Sequence, residues 1–231
     1  MHLERKMKKR ITGGGRLSRK LLAILMASGM MTSGAWANDV YVEQIGDNSI
    51  ISITQTGAGN LVNGNVGGNG NTDDAAIIRG DLNNVTISQI GASNTISMII
   101  NNETSGTGST VVVSADGSNN NQTIGCGTAL SSSCNASIIR SEITGNNNNT
   151  VQTLSGGVVQ SKIAINGNWN NVTHTASGVG LHSAEITVSG GGTSTVANAV
   201  TLTQSGASAK NAIITSNGSN NNINITQSDA Q

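Results

Sequence analysis

The stretch Ile78-Arg79-Gly80-Asp81-Leu82-Asn83-Asn84-Val85-Thr86-Ile87-Ser88-Gln89-Ile90-Gly91-Ala92-Ser93-Asn94-Thr95-Ile96-Ser97-Met98-Ile99-Ile100 decides the fold. Between its glycines, every second position is apolar or an amide: Asn83, Val85, Ile87 and Gln89, then Asn94, Ile96, Met98 and Ile100. Successive side chains of a strand point to opposite faces, so period two predicts β-strand. Gly-x-x-Asn supplies residues that tolerate positive φ and predicts a tight turn between two strands.

The same frame recurs from Gly46 through Ser49, Ile51, Ile53 and Gln55 to Gly57, and again at Gly117-x-x-Asn120-x-Gln122-x-Ile124. It returns at Gly167-x-x-Asn170-x-Val172-x-His174 and at Gly218-x-x-Asn221-x-Ile223-x-Ile225-x-Gln227. Gly145, Gly156, Gly167 and Gly178 stand eleven apart, while the marks at Gly190, Gly206 and Gly218 drift by insertions. Two such units, strand-turn-strand-turn, make a rung of about 22 residues that cannot bury its apolar face alone. The expected fold is all-β: a β-solenoid of 7–8 rungs from Val40 onward, about 35 Å tall at about 4.8 Å per rung.

Composition excludes the competing classes. The 231 residues include 30 Gly, no Pro and no Phe, with 10% charged and 1% aromatic. A conventional core lacks its large side chains, a coiled coil lacks its charges and collagen lacks its prolines.

Residues 1–37 read as a secretory signal peptide: eight basic residues, the apolar run Leu21–Ala27, then Ala35-Trp36-Ala37. The run is too short to span a bilayer. After cleavage, four basic and eleven acidic residues leave a net charge of −7 on 38–231. That segment has no basic patch for nucleic acid and no membrane span.

Stacked in register, like residues lie above one another. Inward Gln44, Gln55, Gln89, Gln204 and Gln227, with Asn60, Asn83, Asn94, Asn170 and Asn221, are expected to form hydrogen-bonded rows, since each amide offers a donor and an acceptor. The alternative is that these amides are solvated turn residues. Gly57, Gly80, Gly91, Gly167 and Gly218 are the expected turn formers. A solenoid has two open ends: Ile223–Gln227 carries no proline or charged shield until Asp229, and Val40–Gln44 is almost as bare, which favours end-to-end polymerisation.

These motifs resemble the curlin repeat, Ser-x5-Gln-x-Gly-x-x-Asn-x5-Gln, of the subunits of curli, extracellular amyloid fibres of bacteria. Gln55-Thr56-Gly57-Ala58-Gly59-Asn60 and Gln89-Ile90-Gly91-Ala92-Ser93-Asn94 match its centre, and Asn83–Gln89 and Asn221–Gln227 match Asn-x5-Gln. Ile143, Ile165, Ala176 and Val188 replace glutamine in the middle, so the repeats are divergent. The resemblance implies a homopolymeric fibre, an outer-membrane secretion channel, a nucleator subunit, and roles in adhesion and biofilm matrix.

Little else points to chemistry, and neither a cofactor nor an enzyme activity is expected. Cys126 and Cys134, in an inserted loop at about 125–136, read as a disulfide in an oxidising exterior; free thiols or a metal pair are the alternatives. His174 reads as a polar rung residue, Asp73-Asp74 as a solvated turn. The rival functions are a monomeric adhesin binding carbohydrate, a polysaccharide-cleaving β-helix and an ice-binding solenoid. They would need exposed aromatics, clustered carboxylates and recurring threonine pairs, respectively. Only Tyr41 and Trp169, and the pairs Thr173/Thr175 and Thr201/Thr203, answer those needs.

Overall fold

The computed structural model describes residues 22–26, 37–64, 75–101, 110–125, 138–154, 159–178 and 182–229. These residues form eighteen strands and no helix. One sheet, A, runs in the order β1 (Leu22–Met26), β4 (Ile50–Ala58), β7 (Asn84–Ala92), β9 (Thr110–Asp116), β11 (Ile138–Thr144), β13 (Val159–Asn166), β15 (His182–Ser189) and β17 (Lys210–Asn217). The other, B, runs in the same sense through β2 (Asp39–Val40), β5 (Leu61–Asn63), β8 (Thr95–Asn101), β10 (Asn121–Ile124), β12 (Asn149–Thr153), β14 (Asn170–Ser177), β16 (Asn198–Ser205) and β18 (Asn222–Ser228). β3 (Val42–Ile45) and β6 (Ala76–Arg79) extend the lines of β2 and β5. All pairings are parallel, and from β4 onward the chain crosses alternately between the sheets. The arrangement is β-helix-like, as the alternating pattern predicts.

Parallel register turns alternation into columns. Ile53, Ile87, Val113, Ser141, Ile163, Ile186 and Ile214 stack in sheet A. All are buried between the sheets, where each isoleucine contributes about 1.5–3 kcal/mol relative to exposure. β15 and β16 alternate buried and half-buried residues along their whole lengths.

The repeat length is not constant. Ile138 pairs with Gln160, 22 residues on, but Ile50 pairs with Asn84, 34 on. β5 ends at Asn63, opposite Ser97, and β6 faces Ile99 with Ile77, so fourteen steps of chain separate two positions that only Met98 separates in β8. Insertions are tolerated at the ends of strands because an extra loop there breaks no ladder hydrogen bond. The apolar run read as the core of the leader is extended over Leu22–Met26 and pairs with Ile50–Thr54.

Candidate functional site: amide ladders and open sheet ends

The turn from sheet A to sheet B carries one asparagine per layer. Asn38, Asn60, Asn94, Asn120, Asn148, Asn170, Asn198 and Asn221 form a single column. The Nδ2 of Asn94, Asn120, Asn148, Asn170 and Asn198 each donates to the Oδ1 of the preceding member at 2.9–3.0 Å. The Oδ1 atoms of Asn60, Asn94, Asn120, Asn148 and Asn198 accept the backbone N–H of the next asparagine at 2.8–3.1 Å, whereas the Asn198 N–H goes to the Trp169 carbonyl at 3.2 Å. Each Nδ2 also reaches a glycine carbonyl one layer on, as Asn120 reaches Gly145 at 2.7 Å. Members 60 to 198 are at most 1% exposed, so a buried amide is made affordable by complete pairing.

The turn geometry follows from glycine. Gly91 has φ +110°, and a Cβ there would lie 1.9 Å from the Gly117 carbonyl oxygen. Gly57, Gly167 and Gly218 hold the same place with φ of 108°, 144° and 102°. Gly80, φ 99°, belongs to the opposite turn, as does Asn83. The Asn83 N–H bonds Ser49 Oγ and its Nδ2 bonds the Arg79 and Gly80 carbonyls. Asn83 is therefore not in the row with Asn60 and Asn94, which corrects the expectation. Asn60, Asn94, Asn170 and Asn221 do share it. Asn120 and Asn148 follow Gly-x-x-Asn and were legible. Asn198 follows Gly190 only after a widened loop, and Asn38 has no preceding glycine in frame; register alone finds them.

The glutamines form two short pairs rather than one row. Gln55 Nε2 donates to Gln89 Oε1 at 2.7 Å in sheet A, where Ala115 and Ile143 come next in register. Gln204 Nε2 donates to Gln227 Oε1 at 2.8 Å in sheet B. Gln44 is half-buried above Ile78 and turns back to the Gly46 carbonyl, because no amide lies beneath it.

Between these pairs lies a buried polar seam. His174, fully buried, has Nδ1 2.9 Å from Ser161 Oγ and Nε2 3.0 Å from Gln204 Oε1. Burial lowers its pKa below the ordinary value, against the raising effect of Gln204. His182 is also lowered by burial, against the raising effect of the Gly178 backbone. At the chain's far end, Lys210 Nζ bonds Asp229 Oδ1 at 2.6 Å. Together with the Ala207 and Ser208 N–H groups, Lys210 holds the Asp229 carboxyl down to about 2.

Sheet B ends on β18, whose inward Ile223, Ile225 and Gln227 are only half-buried. Among the described residues, Asn221 Oδ1 accepts no hydrogen bond, although every preceding Oδ1 in the column does. At the other end, Val40, Val42 and Gln44 are half-buried in the same three columns. Cys126, Cys134 and Asp73-Asp74 lie outside the described residues. Among the described residues, no group of three His, Cys, Asp or Glu is placed to hold a metal ion, and no helix is long and apolar enough to cross a membrane. In comparisons with known proteins, the chain matches no family model, no curated protein and no solved structure.

Proposed function

We propose that this chain is a secreted, non-enzymatic structural subunit that joins end to end with copies of itself into curli-like extracellular amyloid fibres, serving surface adhesion and biofilm matrix. One observation carries the reading: the two ends of sheet B are the same surface in the same register. Asn221, Ile223, Ile225 and Gln227 at one end correspond to Asn38, Val40, Val42 and Gln44 at the other. A second copy set on β18 brings asparagine over asparagine, branched aliphatic over branched aliphatic, and glutamine over glutamine. The free Asn221 Oδ1 then receives the Asn38 amide donors, and the unpaired ladder of β18 is satisfied. In this reading each A–B strand pair is a curlin-like rung whose basic length is 22 residues. Ile50 to Ser228 supplies seven rungs, and Asn38 to Ile45 adds a half-rung.

The leader, removed after Ala37, directs export; an outer-membrane channel and a nucleating subunit complete the pathway. The test follows the mature chain, purified under denaturant and then diluted, by thioflavin fluorescence and fibre diffraction. Fibres with a meridional reflection near 4.7–4.8 Å are expected. Soluble monomer after days of incubation overturns the proposal.

A further inference from the structure

From β8 onward the two outer faces differ in charge. None of the sheet B strands β8, β10, β12, β14, β16 and β18 contains Asp, Glu, Lys or Arg. The strands of sheet A carry Asp116, Arg140, Glu142, Lys162 and Glu185. On sheet B, register aligns Thr153, Thr175, Thr203 and Thr226 in one outward column. Thr173 and Thr201 pair in the next. Only the first column extends beyond these two layers, for Val151 and Asn224 flank Thr173 and Thr201 in the second. The hydroxyls stand about 4.8 Å apart along the stack and, in those two layers, about 6.6 Å apart along the strand.

One aromatic stands in the turn that leads into this face, four residues before Thr173. Trp169 occupies the turn two residues before Asn171, the first outward residue of β14. It is half-buried and has φ 57°, in the left-handed region. Asn119, Asn147 and Asn220 hold the equivalent place in other layers; for a bulky side chain this conformation is an outlier, and such outliers cluster at ligand sites. Among the described residues, the indole N–H has no hydrogen-bond partner. In the next layer the tight turn opens into Gly190–Ala197, where Thr193 and Val196 close a small turn of their own and Val196 is 51% exposed.

We propose that Trp169 and the adjoining threonine face form a binding site for a neutral, β-linked glycan chain. One sugar ring stacks its C–H face on the indole, and later rings of the same chain, laid along the strand, exchange hydrogen bonds with the threonine hydroxyls. The absence of charge selects an uncharged polymer, and an ice lattice offers no apolar ring face to the indole. The site lies on the outer face and the turn, so it holds whether or not copies join through their ends.

The test uses the full chain with Trp36→Phe, which leaves Trp169 as the sole tryptophan. It is titrated with cellohexaose, followed by indole emission, and sedimented with insoluble cellulose and chitin, with carboxymethylcellulose as the charged counterpart. Saturable change in emission and co-sedimentation with a neutral glycan are expected, weakened about tenfold or more by Trp169→Asn. That variant keeps the residue type found at 119, 147 and 220, so the fold is retained. Thr203→Lys, on the face itself, should weaken binding as well. Lack of binding to all three neutral glycans overturns the proposal. So does preference for carboxymethylcellulose, or undiminished binding by both variants.

Discussion

Asn94 Nδ2 donates to Oδ1 of Asn60, 34 residues earlier in the chain, at 3.0 Å, and Asn120 repeats the contact on Asn94 at the same distance. The spacing along the chain differs between the two steps, 34 against 26 residues, yet the contact does not. The stack therefore conserves the layer and leaves loop length free.

Replacing Asn120 by Ala should cost about 3 kcal/mol, because it strands the Asn94 and Asn148 amides in a buried row. Denaturant unfolding measures it. Asn168→Ala is the control: its Oδ1 accepts from Asn146 at the exposed rim, and the loss there should stay below about 1 kcal/mol.

Gly91→Ala should abolish the stack or destabilise it by several times the roughly 1–3 kcal/mol of a strained backbone position, since the new Cβ meets backbone oxygen at 1.9 Å. At Gly125 the same substitution finds its nearest atom at 3.7 Å and should be nearly silent. Circular dichroism and melting temperature separate the two outcomes.

Trp169→Asn and Leu82→Asn should each raise stability by about 1 kcal/mol. Both residues hold left-handed backbone, φ 57° and 60°, which asparagine adopts with less strain. A fall in melting temperature for both would contradict this account.

Stability should decline as pH drops below the ordinary histidine value of 6.5. His174 has a lowered pKa in the fold, so the unfolded chain binds its proton first. Stability is then full above 6.5 and is lost on acidification until the folded pKa is passed. His182 acts in the same direction. Denaturation between pH 8 and 5 should show the decline, and His174→Gln should reduce it; an identical slope in the variant would remove His174 as the cause.

Ile225→Lys should slow fibre elongation at least several-fold, through a charge at the β18 edge, with little effect on the isolated fold because Ile225 is only half-buried. Seeded growth measured by thioflavin checks it. Unchanged elongation would mean that β18 is not a growth surface.

Strand alternation and the Gly-x-x-Asn turns were legible in the chain alone, because both are local: period two follows from the pleat and the turn from backbone sterics. So were the inward positions of Gln55, Gln89 and His174. Only the tertiary structure decided which residues share a column, since register depends on how many residues each loop removes from the stack. That is why Asn83 left the asparagine row, why Asn38 and Asn198 entered it, why Gln44 stands apart from Gln55, and why threonines from distant segments meet on one uncharged face.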